Sequence, residues 1–343
     1  AINMARDPAV DAQSALLLRL VAEATATDDS HLVVRFTEPY DEQLYDAVYH
    51  VYPLPAHLVD TIPRGALAKS AFAAAPVGNG PYRWTRRVPK QQLELTAYDQ
   101  FFLGKPGPRR VLYLTVGDAE ARMNLLLSGD ADVLAAPGTV SSVARVTADK
   151  RVRVYPMPTT TVGYLSFNQR DPADLSRPHP ILSDPAVRTA IVKALDRRGM
   201  VQATFGSWAS VPEGPVPQLF WIRDPGFKPA AADPAGARAQ LRARGWTDSD
   251  GDGVLDKNGA PLALTLNYPS QDATRGQLAL QIQEQLRQAG IRIEINRLDG
   301  PVWVEQRNRG AFHLRLGPGS KGPSQGRRAE RWRGVGRGGG NKE

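Results

Sequence analysis

The sequence contains no cysteine, which excludes disulfide bonds and thiolate chemistry but leaves the cellular compartment open. No stretch approaches the roughly eighteen uncharged apolar residues that a membrane-spanning helix needs. None of the five histidines has the spacing of a metal ligand. The composition, 42% hydrophobic and 23% charged residues, is typical of a globular protein. No bound metal or cofactor is predicted.

Basic residues are in excess at only one end of the chain. The net charge of +8 reflects 43 Lys+Arg against 35 Asp+Glu, and residues 307–343 hold ten of the former and two of the latter. Residues 1–306 therefore carry 33 of each and are neutral. An acidic or nucleic-acid partner, which the net charge taken alone suggests, is therefore limited to the basic end.

The body alternates strand and helix patterns, which predicts an α/β fold. Apolar residues two apart mark strands, whereas Asp-Pro pairs followed by apolar residues three or four apart mark the first turns of helices. The predicted strands are 32–36, 111–113, 262–266 and 291–295. The predicted helices begin at Asp184-Pro185, at Asp233-Pro234 and at about Arg275, and the last two end at Gly245 and Gly290.

Two stretches rich in proline and glycine divide the body. Residues 76–81 (PVGNGP) separate the first 75 residues from the next strand, and residues 171–180 (DPADLSRPHP) precede a large C-terminal segment. After about Gly317 the composition changes to Gly, Arg, Pro and Ser without periodicity, which predicts an irregular tail.

Two motifs carry weak chemical signals. Residues 322–326 (GPSQG) match the nucleophile-elbow pattern G-x-S-x-G, but that motif needs a later histidine and the last one is His313, so no enzymatic activity is predicted. Residues 248–253 (DSDGDG) resemble the start of a calcium-binding loop, but Gly259 stands where a bidentate glutamate should close it. The ligand count favours a polar turn over a weak cation site and leaves both open.

Six short segments share their pattern with one protein family. They are PVGNGPY at 76–82, YDQFFLGKP at 98–106, GDADV at 129–133, FN at 167–168 with ILSDPAVR at 181–188, ALDR at 194–197, and the stretch 245–259 that begins GWTDSDGDG. In this order, over roughly residues 30–316, they resemble the oligopeptide- and dipeptide-binding proteins of bacterial ABC importers, family 5 of the extracytoplasmic solute-binding proteins.

The resemblance implies an α/β, two-lobe periplasmic-binding-protein-like fold (type II, with an extra inserted domain), present here incompletely. Residues 1–75 would end the inserted domain of the first lobe, 76–167 would be a first-lobe α/β segment, 168–316 an incomplete second-lobe α/β domain, and 317–343 the Gly/Arg-rich tail. It also implies a fragment cut at both ends, from a periplasmic protein or cell-surface lipoprotein whose signal or anchor segment is missing.

The implied function is capture of a peptide or other small solute by hinge closure of the two lobes, followed by delivery to the permease subunits of an ABC transporter. No catalysis, no cofactor and no nucleic-acid partner are expected. The rival hypothesis is an interaction protein that binds RNA or an acidic surface through its tail, where arginines alternate with glycines beside Trp332.

Three residues match positions in the family's cleft and are predicted to contact the ligand. Asn168 lies where the family's strand crosses between lobes, Trp208 lies in the loop after the Asp184 helix, and Arg307 lies five residues before Phe312. The ligand itself, whether a peptide, a sugar or a nickel complex, is left open.

One feature that the resemblance implies is missing. The family often has a tryptophan followed three residues later by an aspartate that pairs with the peptide's α-ammonium, and the corresponding residues here are Gly319 and Gly322. An α-ammonium enclosed without a counter-charge loses its hydration uncompensated. Closure over a free peptide N-terminus is therefore expected to be disfavoured.

Overall fold

The structure is a computed structural model that describes residues 1–12, 14–40, 43–49, 51–135, 140–212, 226 and 229–320. The chain divides into two compact units, Ala1–Val116 and Gly117–Glu343. The helices are α1 (Ile2–Arg6), α2 (Gln43–Tyr49), α3 (Ala56–Val59), α4 (Ala71–Ala74), α5 (Ala119–Ser128), α6 (Val140–Ala148), α7 (Pro185–Ala194), α8 (Arg197–Phe205), α9 (Pro234–Ala243), α10 (Ala273–Gln288) and α11 (Gly300–Arg309). The strands are β1 (Val21–Ala26), β2 (Leu32–Phe36), β3 (Tyr82–Val88), β4 (Gln92–Ala97), β5 (Arg110–Leu114), β6 (Thr161–Phe167), β7 (Asp256–Lys257), β8 (Ala260–Pro261), β9 (Ala263–Pro269), β10 (Arg292–Leu298) and β11 (Leu314–Ser320).

The first unit contains two small antiparallel sheets. β1 pairs with β2, and β3, β4 and β5 form a three-stranded meander. Its buried cluster is small and is built on Ile2, Leu18 and Val21. Large apolar side chains, including Tyr52 and Phe102, stay exposed, so the unit buries little apolar surface.

The second unit is built on a four-stranded sheet in the order β10-β9-β11-β6. β9 runs parallel to β10 and β11, whereas β6 is antiparallel to β11. Because strand residues alternate between faces, Leu264 and Leu266 of β9 and Leu314 of β11 point to one side. There they share a single core with α7, α9 and α10. The helices predicted to begin at Asp184 and at about Arg275 thus pack on the sheet that contains the predicted strands 262–266 and 291–295.

The helix starts follow the predicted Asp caps. Asp184 Oδ1 accepts a hydrogen bond of 2.8 Å from the Ala186 amide, and Asp233 Oδ1 accepts one of 2.8 Å from Gly236. The third helix begins at Ala273, slightly before the predicted start, because Asp272 caps it by accepting from the Arg275 amide at 3.0 Å. These ends are set by local chemistry, which explains why the sequence predicts them.

Gly290 ends α10 in a conformation that a larger residue tolerates poorly. Its φ is 83°, and a Cβ there would lie 2.7 Å from Leu255 Cγ. Gly290→Ala should lower the free energy of unfolding by about 2 kcal/mol, because left-handed strain adds to overpacking of a buried leucine. Gly251→Ala is the matched control, since φ is 79° but nothing lies within 4 Å. Equal losses in urea unfolding for the two variants would show that the Leu255 contact is unimportant.

The compact units do not follow the domain boundaries that the resemblance implies. β6 precedes residue 168, yet it pairs with β11, and the division falls after Val116. β11 continues to Ser320, so residues 317–320 of the tail are strand, and the rest of the tail lies outside the described residues. The lobe boundaries remain predictions for the complete protein. Within the described part of the chain, no helix is both long enough and apolar enough to cross a membrane.

Candidate ligand-binding face

The face of the second unit's sheet that points away from the α7–α10 core carries polar side chains. We call it the outer face and define it by Tyr164 and Ser166 of β6, Asn267 of β9 and Arg315 of β11. Arg315 stands opposite Ser166 and Asn267 in the two strand registers, so these three side chains share one side. Asn267 Nδ2 donates a hydrogen bond of 2.8 Å to Gln306 Oε1, which ties α11 to this face.

Arg315 is the most unusual group on the outer face. It is 4% exposed, and its guanidinium carbon lies 5.4 Å from the ring centre of Phe312 and 5.8 Å from those of Tyr164 and Trp303. The Tyr164 hydroxyl accepts a hydrogen bond from it. Arg315 Nε is buried without a partner, and no carboxylate of the described residues forms an ion pair with the group. A buried cation is therefore held mainly by aromatic rings.

The electrostatics of Arg315 follow from this setting. Burial lowers the pKa of Arg315, the Tyr164 hydroxyl opposes that shift, and the nearby Arg307 cation lowers the pKa further. The charged form of Arg315 is thus less favoured here than in water. An anion bound beside the guanidinium would favour the charged form and raise the pKa of Arg315.

Arg307, one of the three predicted ligand residues, lies beside this cluster. Its guanidinium carbon is 5.5 Å from the Trp303 ring centre, so two guanidinium groups lie against one indole. Arg307 Nε and Nη2 donate to Asn308 Oδ1 at 3.1 and 2.9 Å. Trp303 Nε1 and Ser166 Oγ are buried without partners in the described residues.

Asn168, the second predicted ligand residue, holds the segment that leads into β11. It is 2% exposed, and Nδ2 donates to the Gly310 and Phe312 carbonyls at 2.8 and 2.9 Å. Oδ1 accepts from the Arg170 amide at 3.1 Å. Both amide N–H groups are used by the chain itself, which leaves only part of Oδ1 for a ligand. Contact with a ligand stays a prediction.

Trp208, the third predicted residue, lies elsewhere. It ends the 3-10 turn Gly206–Trp208 after α8 and is 46% exposed. It contributes no ring to the Arg315 cluster. The structure thus brings Arg307 and the Asn168-held segment towards one cluster and leaves Trp208 on a separate segment.

The acidic loop brings three aspartates together, and the choice between a polar turn and a weak cation site stays a prediction. Carboxylate oxygens of Asp248, Asp250 and Asp252 lie within 4.8 Å of one another. All three residues are engaged. Asp250 Oδ1 accepts from the Asp252 amide at 3.2 Å, Asp252 Oδ1 accepts from the Val254 amide at 2.8 Å, and Asp248 Oδ2 lies 3.5 Å from Arg238 Nη2. Gly259, at the closing position, has φ 76° and no side chain to add. The residues of the nucleophile-elbow pattern, 322–326, lie outside the described residues.

A buried histidine pair lies at the start of β11. The rings of His179 and His313 meet edge to face with centres 4.9 Å apart. His179 Nδ1 accepts hydrogen bonds of 3.0 Å from the Ile181 and Leu182 amides, which requires an unprotonated Nδ1. Burial, with a contribution from His313, lowers the pKa of His179 to about 4. The pair is neutral at pH 7.

Comparison with known proteins gives a family match over most of the chain. The model of the bacterial extracellular solute-binding proteins, family 5, matches residues 1–327. The oligopeptide-binding protein AppA of Bacillus subtilis is 29% identical over 259 residues, which are 74% of this chain and 46% of AppA. The probable ABC transporter periplasmic-binding protein SapA of Escherichia coli is 28% identical over 66% of this chain and 38% of its own length. The chain spans about half the length of the curated relatives it matches, or less.

Solved structures share the fold. AppA of Bacillus subtilis, in complex with a nonapeptide, has a TM-score of 0.81 at 22% identity and covers 94% of this chain, which covers 63% of it. NikA of Brucella suis, in complex with Fe(III)-EDTA, has a TM-score of 0.79 at 20% identity, with 99% of this chain and 65% of that chain covered. The predicted periplasmic-binding-protein-like α/β fold is confirmed.

Proposed function

Because the chain belongs to the bacterial extracellular solute-binding proteins of family 5, we propose that the complete protein captures a peptide outside the cytoplasm. It then delivers that peptide to the permease subunits of an ABC importer. The observation that carries this proposal is the family match over residues 1–327. Ligand-linked hinge closure of the two predicted lobes supplies the mechanism, since a ligand that binds the closed form better shifts the open–closed equilibrium.

The choice of ligand class rests on the relatives. AppA is described with a nonapeptide and NikA with Fe(III)-EDTA, so both peptides and chelated metals belong in a test. The proposal also covers localisation: the complete protein would be a periplasmic protein or a cell-surface lipoprotein.

Thermal unfolding of the full chain with a panel of solutes tests the proposal. A specific ligand at about a hundred times its Kd stabilises the native state by about 2.7 kcal/mol. We expect a peptide to produce such a shift and a nickel–histidine complex to produce none. A shift with the nickel complex alone would replace peptide as the ligand class.

RNA is the second arm of that panel. If the basic tail is not functional, RNA binding should be weak and should fall steeply with salt. Salt-resistant RNA binding that is lost on deletion of residues 321–343, together with no response to any solute, would favour the rival hypothesis.

The glycines at 319 and 322 give a sharper expectation about which end of a peptide is recognised. Without an acid at these positions, a free α-ammonium gains no charge-assisted hydrogen bond there. The N-acetylated form of a peptide should therefore bind more tightly than the free form in calorimetry, because closure over a free α-ammonium buries a charge without a partner. A loss of tenfold or more on acetylation would place an acidic partner for the ammonium elsewhere in the chain.

A further inference from the structure

We propose that Arg315, with Trp303, Ser166 and Tyr164 around it, binds the carboxylate group of the captured solute at the outer face. This inference rests on the proposed function, which it narrows to solutes that carry a carboxylate. It assigns recognition to a residue outside the three that the sequence singles out.

The unsatisfied groups around Arg315 are all able to donate a hydrogen bond. Arg315 Nε, Trp303 Nε1 and Ser166 Oγ are buried and lack partners in the described residues. A guanidinium and an indole have no acceptor at all, and a hydroxyl can turn its hydrogen towards an anion. Ser166 lies directly across the strand pair from Arg315, where Cβ atoms are about 5 Å apart. A set of neighbouring donors without acceptors suits an anion.

Other arginines have acceptor partners of a kind that Arg315 lacks in the described residues. Arg188, which is equally buried, donates from Nη1 to the Leu182 and Ser183 carbonyls at 2.9 and 3.1 Å. Arg309 pairs with Glu305 at 3.1 Å. Arg315 instead has three aromatic rings and a second cation, Arg307, as neighbours. Aromatic faces replace only part of the lost hydration, whereas a carboxylate accepts two parallel bonds from a guanidinium.

Gly317 leaves space beside the Arg315 guanidinium. A Cβ at this position would lie 3.0 Å from Arg315 Nη1 and 3.6 Å from the Tyr164 ring. The guanidinium therefore extends along β11 towards Gly317, where the strand offers no side chain to cover it. Because Arg315 is almost fully buried against Trp303 of α11, a carboxylate reaches it only if these side chains shift. Binding should accordingly be measured after long incubation.

The experiment compares N-acetyl-trialanine with its C-terminal amide, using calorimetry on the full chain. Blocking the N-terminus removes the α-ammonium from the comparison. The acid should bind at least about 30-fold more tightly than the amide, because the amide leaves a buried cation unpaired. Arg315→Met should abolish that preference, and Trp303→Phe, which keeps a ring but loses the N–H, should weaken it. Arg309→Met, on the same helix as Trp303, should leave it unchanged.

The ligand-free variants separate recognition from a structural role. A buried charge without a partner destabilises the fold, so Arg315→Met should melt at the same temperature as the parent chain or higher. A lower melting temperature would mean that the arginine is held for stability and would count against the proposal. Equal binding of acid and amide, or a preference that survives in Arg315→Met, would overturn it while leaving solute capture intact.

If neither peptide binds, the proposed peptide function is weakened, and acetate then serves as a simpler probe of whether Arg315 binds a carboxylate. Sodium acetate should raise the melting temperature of the parent chain and not that of Arg315→Met, with sodium chloride as the ionic-strength control. Acetate protection that is equal in both chains, or absent from both, would show that Arg315 takes no carboxylate.

Discussion

Replacing Asn168 by aspartate should lower the free energy of unfolding by about 3–5 kcal/mol. Nδ2 of Asn168 donates to the Gly310 and Phe312 carbonyls in a buried site. A carboxylate cannot donate, so both carbonyls lose their partner and face a buried negative charge. Urea unfolding with an unchanged m-value would measure the loss.

Asn308→Asp is the matched control for that substitution. Asn308 is exposed, and its Oδ1 already accepts from Arg307. A carboxylate there keeps the acceptor and adds a surface ion pair, so the change should stay within about 0.5 kcal/mol. If Asn168→Asp instead left stability intact and removed solute binding, Asn168 would be a ligand residue and not a structural one.

Acidification from pH 7 to pH 4 should lower the free energy of unfolding by about 3 kcal/mol through His179 alone. The pKa of His179 is lowered by burial to about 4, against about 6.5 in an unfolded chain. Between these values the unfolded state binds a proton that the folded state does not, so stability falls as the pH falls. Burial also lowers the pKa of His313, which adds to the loss in the same direction.

His179→Asn should flatten this pH dependence. An asparagine Oδ1 can accept from the amides two and three residues later, as His179 Nδ1 does, but it does not titrate. His57→Asn, at an exposed position, should leave the slope unchanged. Urea unfolding at several pH values between 7 and 4 checks both variants, and an unchanged slope in His179→Asn would assign the acid sensitivity to other groups.

The three helices and four strands named from the sequence were predictable because their signals are local. Asp184 caps α7 through an amide two residues away, and Gly290 ends α10 within the same turn. The strand β9 is predicted by leucines two residues apart, at Leu262, Leu264 and Leu266. Because these features depend only on residues close in the chain, a single sequence is enough to predict them.

The outer face was not predictable in the same way. Asn168 meets the Phe312 carbonyl across 144 residues, and Ser166 meets Arg315 across the β6–β11 pairing. Nothing near either residue in the sequence indicates these partners. One signal was present: Arg315 stands between Leu314 and Leu316, and alternation places it opposite the core face. A cation between two core leucines of a strand is unusual, and here it marks the outer face.

Arg307 was singled out from the sequence, but its contacts were not predictable from it. The resemblance placed it near the ligand, and the structure places it against Trp303, beside Arg315. Its contact with a solute remains a prediction, because its position reflects the packing of α11 as well as any ligand.

Calorimetric titration of the full chain with N-acetylated peptide acids tests solute capture most directly. We expect saturable binding of one peptide per chain, with a negative heat-capacity change from the apolar surface that is buried. The bound peptide should also raise the melting temperature in proportion to the logarithm of its concentration. The absence of saturable binding for peptides and for chelated metals, in a chain that unfolds cooperatively, would contradict solute capture.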